Sequence, residues 1–257
     1  MTQGACPFIW YDQMSNDLEA SEAFYANVVG WTIAPNTMNQ QTYSLVQAGD
    51  VMVGGLMPIP DDAKAMGARP SWMGYVGVPD VDAFAKKIIA AGGAIFREPT
   101  DIPNVGRFAV AADPHGAGFI LFSGASDQAP TPAPDGTPGH IGWHELMAGD
   151  LDSAFAFYSG LFGWTKGDAH DMGPMGIYQL FTAGGPAIGG MMTKPSSMPT
   201  AHWNYYFNVD AVGKGVERVK SAGGQIVNGP MEVPGGMWIA QGVDPQGAHF
   251  AILSNKP

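Results

Sequence analysis

Glu145, His202, Tyr206 and His249 are the residues of this chain whose types could perform chemistry together. A carboxylate in an aromatic cleft can take a proton from a carbon next to a carbonyl, and an imidazole or phenol beside it can steady the oxyanion that forms. Two histidines and one carboxylate also make a reasonable iron or zinc ligand set, if three such side chains converge. A third reading is structural, with the same groups hydrogen-bonded along the wall of a mostly apolar ligand cavity. All three stay open at the level of sequence. Trp10, Asp12, Tyr75, Trp143, Asn204 and Trp238 are the candidate ligand contacts, the indoles offering flat surfaces for stacking.

These residues need strands to aim them. Alternation places Trp143, Glu145 and Met147 on one face of a strand and turns His144 to the other. It likewise groups His202, Asn204 and Tyr206 on a second strand, and sets His249 beside Ala251 on a last one. In the first half of the chain the counterparts are Trp10 and Asp12, then Ser71, Met73 and Tyr75, then Gly118 and Ile120. The second half is the better equipped for chemistry.

The two halves correspond because the chain repeats itself. Trp143-His144-Glu145-Leu146-Met147, Asp150-Leu151, Phe157-Tyr158 and Gly163-Trp164 follow the order of Trp10 to Met14, Asp17-Leu18, Phe24-Tyr25 and Gly30-Trp31. Such self-similarity marks two copies of one fold. Within each copy an Asp caps a helix that a Gly closes. In the first copy strands are expected at Pro7 to Met14, near Trp31 to Ala34, Thr42 to Gln47 and Val51 to Met57, then Ser71 to Val78, Gly106 to Ala111 and Gly118 to Phe122. Asp61 to Pro70 reads as a loop, Asp80 opens a second helix, and Asp113-Pro114-His115-Gly116 is a turn that returns as Asp244-Pro245-Gln246-Gly247. The proline-rich stretch Gly124 to Pro138 reads as a linker, so the expected domains are 1–124 and 139–257, joined by 125–138.

Composition narrows the partners. The chain has 257 residues, 46% of them hydrophobic, and 12 basic against 23 acidic side chains for a net charge of -11. That field repels nucleic acid and anionic membranes, and no apolar run has the length of a membrane span. The single cysteine, Cys6, forms no internal disulfide and fits as a small buried hydrophobe. A cytoplasmic monomer or homodimer acting on a small molecule is the expectation. No glycine-rich nucleotide loop and no nucleophile elbow stands out.

The ordered motifs Asp-Leu, Phe-Tyr, Gly-Trp and Asp-Pro-x-Gly, present twice, resemble the vicinal oxygen chelate superfamily of glyoxalases, bleomycin resistance proteins and extradiol dioxygenases. Trp143 to Leu146 and Gly189 to Met191 are similar to its tandem glyoxalase-like proteins, the mycobacterial 27 kDa antigen and hydroxylase-like group. The resemblance implies an α+β fold of two tandem βαβββ-repeat domains, each a curved antiparallel sheet with flanking helices. It also implies a divalent metal held by His and Glu on the sheet, but the corresponding positions carry Trp10 and Trp143, Met73 and Asn204, Ile120 and Ala251, and the segments Gly54-Gly55-Leu56 and Gly189-Gly190-Met191. No metal site and no cofactor are therefore expected. The resemblance and the residues left on the sheet together imply a glyoxalase-like lyase or isomerase with Glu145 as base and His202, Tyr206 or His249 polarising the substrate. The alternatives are a protein that sequesters an aromatic or hydrophobic compound, and a metal-dependent dioxygenase or hydroxylase with relocated ligands.

Overall fold

The computed structural model describes residues 4–38, 41–125 and 133–257, so residues 126–132 of the proline-rich segment lie outside the described residues. The first copy runs β1 (Phe8–Ser15), α1 (Leu18–Val29), β2 (Thr32–Met38), β3 (Gln41–Ala48), β4 (Val51–Pro58), α2 (Asp61–Ala65), β5 (Ser71–Gly77), α3 (Val81–Ala90), β6 (Ala94–Ile102), β7 (Gly106–Ala112) and β8 (Gly118–Gly124). The second runs β9 (Ile141–Ala148), α4 (Leu151–Phe162), β10 (Thr165–Asp171), β11 (Ile177–Thr182), β12 (Ala187–Thr193), β13 (His202–Asn208), α5 (Val212–Ser221), β14 (Gln225–Val233), β15 (Met237–Val243) and β16 (His249–Ser254), with a single 3-10 turn at Gly173–Met175.

Local chemistry accounts for the helix ends. Asp17, Asp80 and Asp150 are extended N-caps whose carboxylates accept the backbone N–H three residues on. Gly30 and Gly163 close α1 and α4 in the left-handed conformation, at φ 85° and 69°. Each copy forms an eight-stranded sheet, in the order β2-β3-β4-β1-β5-β8-β7-β6 and its equivalent β10-β11-β12-β9-β13-β16-β15-β14. The sheets are mixed where an antiparallel arrangement was expected. A helix followed by a three-strand meander returns its last strand alongside the first in the same direction, so β1–β4, β5–β8, β9–β12 and β13–β16 are parallel pairs. Two further differences are local. Asp61–Ala65, read as loop, winds one short helix with Asp61 and Asp62 in its first turn, and β6 precedes the two strands expected after α3.

The chain groups into two compact units, each drawing on both copies: Met1–Trp10, Gly74–Pro130 and Trp143–Trp203 in the first, Tyr11–Met73, Thr131–Gly142 and Asn204–Pro257 in the second. In the first unit the rings of Phe84 on α3 and Phe162 on α4 stack at 5.9 Å, with Phe119, Tyr158, Trp164, Phe181 and Trp203 packed around them. In the second, Tyr25, Trp31, Trp72, Phe207 and Phe250 form the equivalent cluster.

One hydrogen-bonded motif closes both interiors. In the second unit Tyr25 accepts the indole N–H of Trp72 at 2.8 Å and donates to the Asp244 carboxylate at 2.9 Å. Asp244 is the first residue of the Asp-Pro-x-Gly turn, and its other oxygen accepts the backbone N–H groups of Gln246 and Ala248, both at 2.9 Å. The first unit repeats this with Trp203, Tyr158 and Asp113. Trp31 and Trp164 add a bond each, to the carbonyls of Gly139 and Cys6 at 2.7 Å, and Cys6 itself is buried as a free thiol.

Removing either tyrosine hydroxyl leaves a buried indole N–H and a carboxylate oxygen short of a partner while the ring packing survives. Tyr25→Phe and Tyr158→Phe are each expected to cost about 1–3 kcal/mol of unfolding free energy, read from the midpoint of urea denaturation.

Candidate functional site

The face of β9 opposite α4 carries the strongest cluster of chemical groups. Glu145 is 6% exposed on the same strand face as Trp143. Tyr178, on β11, links the two: its hydroxyl accepts the Trp143 indole N–H at 2.8 Å and is hydrogen-bonded to the Glu145 carboxylate. Burial pushes the Tyr178 phenol well above its usual range, and the neighbouring Glu145 charge pushes it further, so the phenol keeps its proton and donates it in a bond to the carboxylate. The first copy builds a related pair, in which Tyr43 on β3 donates to Asp12 at 2.7 Å and Asp12 is 3% exposed.

Glycine makes both arrangements possible. Glu145 is in register with Gly190, and Asp12 with Gly55. A Cβ on Gly190 would stand 2.1 Å from the Tyr178 ring, and one on Gly55 would fall on the Tyr43 ring. The preceding glycines, Gly189 and Gly54, lie against the backbone carbonyls of His144 and Tyr11. The paired glycines of the sequence therefore give room for a tyrosine laid across the strand. Neither tyrosine was singled out by sequence reasoning, although the signal was present as a Tyr ahead of Gly-Gly in both copies.

The other candidates are spread over β5, β13, β15 and β16. Tyr206 is 2% exposed and its hydroxyl accepts from Gln241 Nε2 at 2.6 Å. Both residues are in register with Ala251, whose small side chain lies between them. Asn204 is buried two residues before Tyr206. His202 is half-buried with Nδ1 3.3 Å from the Thr200 carbonyl, and His249 is exposed at the start of β16. Tyr75 packs edge-on to Phe122 at 5.9 Å. Trp238 shares its face of β15 with buried Ala240, opposite Gln241. Arg107, its counterpart in the first copy, is paired with Asp82 of α3. His144 is turned away from Glu145, donates from Nδ1 to the Ile188 carbonyl at 2.7 Å and stacks on Phe8 at 4.5 Å.

The positions at which the resemblance implies metal ligands carry indole, thioether, hydrocarbon and glycine, with the Asn204 amide the one oxygen donor among them, a set unsuited to a divalent cation. Among the described residues, no group of three or more His, Cys, Asp or Glu side chains could hold a metal ion. No helix there is long and apolar enough to cross a membrane.

A model of the Glyoxalase/Bleomycin resistance protein/Dioxygenase superfamily matches residues 8–121 and again residues 137–252. The chain is 30% identical over 250 residues to CFP32 of Mycobacterium tuberculosis, a protein that carries a glyoxylase name, covering 96% of this chain and 94% of that one. It is also 30% identical over 257 residues to the anthracycline biosynthesis protein DauV of Streptomyces sp. (strain C5), covering 95% and 91%. The Mn(II)-bound glyoxalase from Novosphingobium aromaticivorans shares its fold at a TM-score of 0.65 and 20% identity, over 99% of this chain and 83% of that one. So does the 2,3-dioxygenase LapB from Pseudomonas sp. KL28, at 0.66 and 13%, over 99% and 93%.

Burial lowers His144 from an ordinary 6.5 to about 4, the Ile188 bond opposing only part of that shift. The unfolded chain takes up this proton first, so the fold loses stability as pH falls through that window, by about 3 kcal/mol in all. In His144→Phe the corresponding slope should vanish when unfolding free energies are measured between pH 6.5 and 4. In a separate test, Gly190→Ala should displace the Tyr178 ring and shift the fluorescence of Trp143.

Proposed function

We propose a function for a chain that belongs to the Glyoxalase/Bleomycin resistance protein/Dioxygenase superfamily: it is a glyoxalase-like small-molecule enzyme of lyase or isomerase type, with Glu145 as its general base. The observation that carries this reading is the buried line from the Trp143 indole through the Tyr178 hydroxyl to the Glu145 carboxylate. A base must be fixed in orientation before it can abstract efficiently, and this line fixes one. The glyoxylase name of CFP32, a relative along nearly the whole chain, supports the same class.

In this reaction Glu145 removes a proton from the carbon next to the substrate carbonyl. The C–H electron pair moves into the new C–C double bond and the C=O pair onto oxygen, which gives an enolate, or an enediolate where the α carbon bears a hydroxyl. In the enediolate the hydroxyl proton passes to the former carbonyl oxygen, and protonated Glu145 returns its proton to the former carbonyl carbon, which completes an isomerisation. His202, in the same unit as Glu145, is the group assigned to polarising the carbonyl, and Tyr206 and His249 belong to the other unit. Trp143 serves as a ligand contact beside Glu145; Trp10 and Tyr75 fall in the same unit, Asp12 and Asn204 in the other. Trp238 is left out because its face of β15 is the one that carries buried Ala240. The chemistry runs without the superfamily's metal, a reading supported by the unsuitable donors at its ligand positions. A relocated metal site has no supporting cluster among the described residues.

A second reading is favoured by one specific observation. Tyr178 already occupies the Glu145 carboxylate, which suits a wall that binds and does not react. The name of DauV points that reading toward an aromatic compound.

Deuterium uptake separates the two. The protein is incubated with a panel of 2-oxoaldehydes and α-hydroxy ketones in D2O, and solvent deuterium at the α carbon is followed by proton NMR. The wild type is expected to accelerate exchange of at least one compound, Glu145→Gln to lose about 10²–10⁴-fold of that rate, and Tyr178→Phe to lose about tenfold as the carboxylate loses its anchor. Binding without exchange across the panel would leave sequestration as the function.

A further inference from the structure

Asn204 carries an unmet hydrogen-bonding demand that the fold does not require. Its side chain is 6% exposed, and Oδ1 has no hydrogen-bond partner among the described residues. A buried acceptor left unpaired costs stability, so the sequence keeps this amide at a disadvantage to the folded protein. In the first copy the same position is Met73, which is also buried and leaves no polar atom unpaired. An apolar side chain is therefore compatible with this place in the sheet.

The surroundings show where the amide is directed. On β13 it shares a face with His202 and Tyr206, opposite Trp203, whose indole is spent on Tyr158 in the helix-side core. It lies mid-strand, two residues from the Tyr206 hydroxyl that accepts from Gln241. The first copy has Val110 in register with Ile120 where the second has Gln241 in register with Ala251. Tyr206 has its counterpart in Tyr75, so the polar capacity that the second copy adds on this face is that of Asn204 and Gln241. Among the described residues two other buried amide oxygens are unpaired, but they sit differently. Gln13 has its amide nitrogen on Asp244 and Ser21 in the interior, and Asn208 lies against Gly142 where its backbone is tied to His140 and Gly139.

We propose that Asn204 is the recognition point for a neutral O–H or N–H donor on a small ligand bound at this face of the second sheet, next to the Tyr206–Gln241 pair. The ligand class is a hydrophobic small molecule bearing a hydroxyl or amine, and the donor supplies the partner that the Asn204 oxygen lacks. This goes beyond the assignment of Glu145 as base and does not depend on it.

Three probes of one shape test it: 1-naphthol and 1-aminonaphthalene, which donate, and 1-methoxynaphthalene, which cannot. Titration of the full chain by calorimetry is expected to show both donors binding about tenfold more tightly than the methoxy compound. Asn204→Leu should abolish that preference and leave thermal stability unchanged or higher, because the unpaired oxygen is gone. Asn204→Ala serves the same purpose should the larger side chain prevent folding. Equal binding of all three probes, no binding of any, or a preference that survives both substitutions would overturn the proposal. Donor preference measured in Glu145→Gln keeps this failure distinct from failure of the general-base reading.

Discussion

A buried tyrosine that receives an indole N–H and passes its own proton to the aspartate of a tight turn is the interaction on which this molecule depends. Tyr25 with Trp72 and Asp244, and Tyr158 with Trp203 and Asp113, are the two instances. In each, the tyrosine belongs to one sequence copy and the aspartate to the other. The aspartate also gathers two backbone N–H groups of its turn, so the bond that organises the turn also ties it to a helix of the other copy. Burial raises the Asp244 carboxyl, and its hydrogen bonds oppose that shift only in part. A charge held against desolvation this way has few alternative arrangements, which favours one pairing of helix and turn over its competitors.

This explains why the motifs that announce the repeat are the ones they are. Asp-Leu, Phe-Tyr, Gly-Trp and Asp-Pro-x-Gly look like separate local signals for a cap, a helix face, a helix end and a turn. In the folded chain the Tyr of one meets the Asp of another, and the Trp that follows each helix reaches a carbonyl across from it. Their local meaning was legible from propensity: the capping aspartates, the left-handed glycines and most strands lie where the sequence places them. Their joint meaning was not, because the partners are separated by most of the chain and no periodicity links them. The parallel strand pairs escaped for a similar reason, since direction is set by the count of strands in a meander and not by the residues of any one strand.

The candidate site divides along the same line. Strand alternation set Glu145 on the face of Trp143 and turned His144 away from it, in keeping with the hydrogen bonds these residues make. Tyr178 and Tyr43 were missed because an aromatic residue on a hairpin strand is ordinary, and only the register with Gly190 and Gly55 shows the ring lying over the neighbouring strand. Gln241 was missed because its value comes from the smallness of Ala251, which it spans to reach Tyr206. In each case the informative residue was the absent side chain beside it.

Asp12 and Glu145 hold the same register position, opposite a glycine, and each is bonded to a tyrosine from the neighbouring hairpin. They differ by one methylene, about 1.5 Å of reach along a carbon–carbon bond. With the strand fixed, the first copy draws its carboxylate back toward the backbone while the second lets it stand proud. On one plan, duplication has thereby set the same chemical group at two depths.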